Sequence, residues 1–145
     1  MRNLTLITLL STVSLMNCQP QSQTTPEKTI QQIIGLAEEA AANRNINLLS
    51  QLLHEDYRVV ANRFKGSKSA TIISKDVYLS MMESEKIGGT SYTIKFNDVK
   101  ITAHTAMVDL LFISEESSDM HKYLILIQDE KDQWKIVSDI PIVME

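Results

Sequence analysis

The chemistry open to this chain rests on a few residues. Asp109 is a carboxylate set inside an apolar run, between Ala106-Met107-Val108 and Leu110-Leu111-Phe112-Ile113. An isolated charge buried there costs on the order of several kcal/mol unless it is paired, hydrated or protonated. A lysine on a neighbouring strand or a tilt towards an edge would satisfy it. A place in a cavity would instead make it a general base of tuned pKa. His121, just after Asp119-Met120, reads either as a water-facing hairpin end or as a cavity base. His54 falls where a helix is expected to end, a position at which the helix dipole favours an imidazolium. The three histidines are scattered and the single cysteine is Cys18, so no metal-ligand spacing is present and neither metal nor cofactor is expected. Without a Gly-x-Ser-x-Gly elbow or a Cys/His pair, nucleophilic catalysis lacks its parts.

Binding chemistry has more material. Tyr57, Tyr78, Met82, Phe96 and Trp134 are large, adaptable or amphipathic side chains that would suit the lining of a pocket for a small apolar or aromatic molecule. Each has a plainer reading as ordinary core. A net charge of −4, from 14 basic and 18 acidic residues, leaves no basic stripe for phosphates, so nucleic acid is not an expected partner. Gly88-Gly89 is no phosphate cradle, because it follows a predicted helix where a cradle would lead from a strand into one.

The elements that must position these residues begin after an export signal. Residues 1–17 pair Arg2 with an uncharged run from Leu4 to Met16, too short for a bilayer of ~30 Å, and read as a signal peptide. Leu15-Met16-Asn17-Cys18 resembles a bacterial lipoprotein lipobox, although Asn17 departs from the small residue usual before the cysteine. Acylated Cys18 would then anchor the chain to a membrane of the cell envelope, facing the periplasm or the exterior; without acylation the protein would be periplasmic or secreted. Residues 18–26 form a polar tether and residues 27–145 one domain.

Thr25-Pro26-Glu27 starts a first helix, with Ile30, Ile33, Ile34, Ala37, Ala40 and Ala41 on its apolar face. A second helix carries Leu48, Leu49, Leu52 and Leu53 and runs to about His54. Tyr57 to Phe64 is a strand, and a polar loop follows from Lys65 to Ser69. Ser74 caps a third helix with Val77, Tyr78, Met81 and Met82, which Gly88-Gly89 ends. Then four strands form a meander: the segment of Tyr92, Ile94 and Phe96, followed by Ala106 to Ile113, Tyr123 to Ile127 and Trp134 to Ile140. The charged runs between the last three are solvated hairpin connections. Helices first and strands afterwards give an α+β fold.

This order, and the stretches Ile73-Ser74-Lys75-Asp76-Val77-Tyr78-Leu79, Lys86-Ile87-Gly88-Gly89-Thr90 and Trp134-Lys135-Ile136-Val137-Ser138, resemble the nuclear transport factor 2-like superfamily, also described as SnoaL-like or cystatin-like, and its lumazine-binding-like branch. The resemblance implies a cone-shaped, curved antiparallel sheet packed against three N-terminal helices around an apolar cavity. It also implies either a non-catalytic binding or interaction domain or a small acid/base enzyme of the isomerase or dehydratase type, in which case Asp109 is the candidate catalytic residue. A homodimer is the expected assembly. Val108 to Phe112 has one polar member and Tyr123 to Ile127 none, so both sheet faces want cover, with Leu124 and Leu126 expected at the interface. The alternative is that Ile140-Pro141-Ile142-Val143 folds back over that face.

Overall fold

The computed structural model describes residues 24–143; the signal, the Cys18 lipobox and most of the tether lie outside them. Helix α1 (Pro26–Ala42) begins as its sequence dictates, with the Thr25 hydroxyl accepting a bond from the Lys28 amide at 3.3 Å. Its buried side chains, Ile30, Ile34 and Ala40, fall on the predicted face. Helix α2 (Ile46–Leu52) is capped by the Asn45 side chain, which accepts from the Leu48 amide at 3.1 Å. The chain then turns directly into strand β1 (Leu53–Asn62), earlier than Tyr57. His54 is therefore a strand residue and not the end of a helix dipole, and its Nδ1 accepts the Asp56 amide at 3.1 Å.

A single 3-10 turn (Phe64–Gly66) leads into β2 (Ala70–Ser74), a strand absent from the sequence reading, and then into α3 (Lys75–Glu83). Lys75 bonds the carbonyls of Ser50 and Leu53 at 2.8 and 2.9 Å, fastening α3 to the end of α2. The meander follows as β3 (Thr93–Thr102), β4 (Thr105–Ile113), β5 (Met120–Gln128) and β6 (Trp134–Val143). Six strands make one curved, unclosed sheet in the order β2-β1-β6-β5-β4-β3. Neighbours are antiparallel except β1 and β6, which run parallel, so the sheet is mixed. The architecture is the expected α+β cone, with one strand and one pairing direction added.

The inner face of the sheet meets the helices. Leu110, Val108 and Leu126 from the strands and Ile30, Ile34 and Leu49 from the helices are its largest fully buried side chains. Leu124 and Leu126 belong to this face, so they cannot sit at an interface on the other one; Tyr123 and Ile125 point the opposite way. The tail from Ile140 to Val143 is the end of β6, so it does not fold back over the outer face.

Candidate ligand cavity

Between the inner face, α1, α3 and the Gly88-Gly89 loop lies a cavity in two parts. A narrow chamber of about 50 Å³ is walled by Ile34, Leu49, Tyr57, Phe112 and Leu124, among others. A wider basin of about 520 Å³ opens beside it, with Val59, Ile73, Met81, Met82, Ile87 and Tyr92 on its walls and Lys65 and Lys86 among its cations. Glu38, Ala41, Tyr78, Phe112, Lys122 and Asp139 border both. A basin of this size has the usual proportions of a small-molecule site, and its walls combine a mainly apolar surface with the charged groups of Glu38, Lys65, Lys86, Lys122 and Asp139.

The polar centre of the cavity is Asp139, 7% exposed. One carboxylate oxygen, Oδ2, accepts from Lys122 Nζ at 2.9 Å; the other, Oδ1, is buried with no hydrogen-bond partner among the described residues. The Lys122 ammonium also lies 4.5 Å from the centroid of the Phe112 ring, on its face. Tyr57 and Tyr78 stand beside this pair, their rings edge to face at 5.3 Å. Burial pushes both phenols well above their ordinary range, and the Asp139 carboxylate adds to the rise. At neutral pH both are therefore uncharged hydroxyls, able to donate and accept but not to act as phenolate bases.

One rim of the basin is built from glycine where only glycine fits. Gly88 and Gly89 have φ of +74° and +82°, and a Cβ on Gly88 would run into the Met82 sulfur and lie 2.7 Å from the Ala41 carbonyl oxygen. Helix α3 itself ends at Glu83, so the pair is the seam joining this loop to the end of α1 and not the helix stop. The Gly89 amide bonds the Ala41 carbonyl at 3.1 Å, and the Arg44 guanidinium donates to the carbonyls of Ile87 and Gly88 at 3.2 and 3.0 Å.

No family model matches the sequence, and no curated protein matches it either. Solved structures do match. An NTF-2 like protein of unknown function from Silicibacter pomeroyi DSS-3 superposes with a TM-score of 0.68 at 16% identity, over 80% of this chain and 93% of that one. An NTF2-like protein from Cytophaga hutchinsonii ATCC 33406 gives 0.65 at 14% identity, over 83% and 99%. This chain has the NTF2-like cone fold. A domain of unknown function with a cystatin-like fold from Nostoc punctiforme PCC 73102 is similar too, with a TM-score of 0.66 at 10% identity, over 85% and 80%. At these identities the likeness is one of fold, and the site has to be argued from its own side chains.

Within the NTF2-like cone, the expected lining residues separate. Tyr57, Tyr78 and Met82 reach the cavity. Phe96 and Trp134 do not line it; both pack against the core elsewhere. Asp109 is on the outer face, away from the cavity, where its Oδ1 accepts from Asn97 Nδ2 at 2.9 Å and is 2.6 Å from His121 Nε2. The pairing residue is thus a histidine and an asparagine, not a lysine, and His121 is no cavity base. The hydrogen bonds from Asn97 and then His121 hold the Asp109 carboxyl below its ordinary value. The polar groups that do occupy the cavity, Asp139, Lys122 and Glu38, were not singled out by the sequence. Among the described residues no group of three or more His, Cys, Asp or Glu is placed to hold a metal ion.

Proposed function

We propose that this domain binds a small, largely apolar or aromatic molecule in the two-part cavity without transforming it. The observation that carries the reading is a basin of about 520 Å³, mainly apolar in surface, bordered by Asp139, one of whose buried carboxylate oxygens has no partner among the described residues. Two of the stretches resembling the lumazine-binding-like branch support it, since Ile73, Tyr78, Lys86, Gly88 and Thr90 all line that basin. Trp134 lies outside the cavity, so the test uses a neutral solvatochromic dye, Nile red. Wild-type protein should bind it with a blue-shifted emission, and Ala61→Trp, which fills the basin from β1, should abolish binding while melting cooperatively. No binding by the wild type, or equal binding by both, refutes the reading.

The isomerase or dehydratase reading is favoured by one observation, a carboxylate and two neutral phenols in the same cavity. Its candidate base becomes Asp139 in place of Asp109. Consumption of a bound compound at a rate that collapses in Asp139→Asn would establish it.

Two further proposals concern setting. Acylation of Cys18 would hold the domain at a membrane of the cell envelope, and Cys18→Ser should move it from the membrane to the soluble exported fraction of cells. A second copy of the chain would cover the outer face, where Met107, Ile113, Tyr123 and Ile142 are 59%, 40%, 41% and 44% exposed. Sedimentation equilibrium at tens of micromolar, about the range in which a weak homodimer forms, should show a dimer.

A further inference from the structure

The charges around the basin do not cancel. Lys65, Lys86 and Lys122 line it, against Glu38 and Asp139. Both carboxylates are engaged within the fold, since Glu38 Oε1 accepts the Tyr92 amide at 2.6 Å and Asp139 Oδ2 accepts from Lys122 Nζ at 2.9 Å. Lys65 and Lys86 are left over. Both are exposed, and neither forms an ion pair with a carboxylate among the described residues. Lys65 stands on the 3-10 turn and Lys86 on the loop that follows α3, so two separate segments bring an ammonium group to one basin. The lining therefore holds a surplus of one positive charge in a chain whose net charge is −4. A local field opposite in sign to that of the whole molecule concentrates anions.

Resting on the cavity reading above, we propose that the ligand is an amphipathic monoanion, an apolar or aromatic body ending in one carboxylate, with its acid end at Lys65 and Lys86. The two ends of such a molecule are held by different physics. An exposed ammonium on a long stem keeps its water, so a carboxylate beside it stays hydrated and incurs no burial cost. Deeper in, Lys122 is already held by Asp139, and a second carboxylate there would lie close to a buried like charge. The acid therefore points outward and the rings inward, against Phe112 and Tyr92, whose centroids are 5.5 Å apart. One negative charge matches the surplus in the lining.

The test compares three probes of similar shape on the wild-type protein by calorimetry and by displacement of Nile red: 2-naphthoate, 2-naphthamide and 2-naphthylmethylammonium. At low ionic strength 2-naphthoate should displace the dye and bind about three- to tenfold tighter than the amide, the range that two solvated ion pairs supply, with the ammonium weaker than both. Sodium chloride should erode that advantage, because exposed charges are screened. Lys65→Gln combined with Lys86→Gln should bring 2-naphthoate down to the affinity of the amide. Equal binding of acid and amide, a preference for the ammonium, a ratio indifferent to salt, or an unchanged ratio in the double variant would overturn the proposal. So would failure of all three probes while Nile red still binds. Failure of Nile red itself overturns the cavity reading, so the two failures are told apart. The wild-type ratio and its salt dependence decide even if the variant does not fold.

Discussion

On opposite faces of the sheet, two carboxylates paired with basic side chains, Asp109 and Asp139, are treated differently. On the outer face Asp109 has two partners, His121 and Asn97, and its side chain is 32% exposed. On the inner face Asp139 has one partner, Lys122, a side chain only 10% exposed, and an oxygen left over. Water can replace what a mutation removes outside, and cannot inside. The outer pair is satisfied; the inner one leaves a carboxylate oxygen without a donor among the described residues.

Removing the partner inside should have the largest effect. Lys122→Met leaves a buried carboxylate unpaired and should cost about 3–5 kcal/mol in urea denaturation. The matching change outside, His121→Ala, should cost far less, since Asp109 keeps Asn97 and solvent. Equal losses would erase the distinction between the faces.

The apolar residues of β5 sharpen the same contrast. Leu126, fully buried, should lose about 2–5 kcal/mol on truncation to Ala. Tyr123→Glu, one face over, should instead leave the fold intact and turn a dimer into a monomer in the ultracentrifuge. A Tyr123→Glu protein that remains dimeric would move the interface off this face.

Alkali probes the two phenols of the cavity. An unfolded tyrosine ionises near the ordinary 10.0, whereas Tyr57 and Tyr78 resist in the fold. The folded state therefore holds protons that the unfolded state has released, so their contribution is complete below that value and stability falls as pH rises beyond it. Tyr57→Phe should flatten this decline, read as the urea midpoint against pH.

The smallest effect belongs to the outer carboxylate. Its depressed pKa contributes stability above the ordinary 3.8 that is lost as pH falls through the folded value. Asn97→Ala removes the larger of its two hydrogen bonds and should make the acid limb of the same curve shallower. An acid limb identical to the wild type's would show that Asn97 does not hold Asp109.

Much of this fold was legible in the sequence, and the cavity's polar centre was not. The apolar period of α1 and the alternation of the four late strands named their elements correctly because local pattern and tertiary burial agree there. Strand β2 escaped because Ala70–Ser74 is short and almost wholly exposed, an edge with little apolar signal. Asp139 escaped for a different reason. In β6, Trp134 and Ile136 face inward, and strict alternation would send Ser138 inward and Asp139 out. One residue, Val137, is extra in the pairing with β5, Ile125 facing Ser138 and Leu126 facing Ile136, so the parity flips and Asp139 turns in. A second irregularity, between Phe96 and Asp98 in β3, places Asn97 beside Asp109. Neither bulge has a glycine to announce it. Asp139 is thus a strand residue whose facing depends on pairing and not on its neighbours in sequence, whereas Asp109, open in sequence between a surface pair and a cavity place, follows the plain alternation of β4 to the outer face.

The seam at Gly88-Gly89 fixes one rim of the cavity. On that rim the chain is stitched to the end of α1 by the Gly89 amide and by two donors of Arg44, and opening it would break all three bonds together. Across the basin, the turn from Phe64 to Ser67 is held by the short bonds it makes to itself, Ser67 amide to Phe64 carbonyl and Ser67 hydroxyl to Ser69 carbonyl. Arg63 and Lys65 there sit at φ of +52° and +50°, a left-handed posture that costs a side-chain-bearing residue something to keep. The two rims are fastened differently: the glycine side is tied by three hydrogen bonds to the end of α1, and the lysine-bearing turn rests on Phe64 packed against the core.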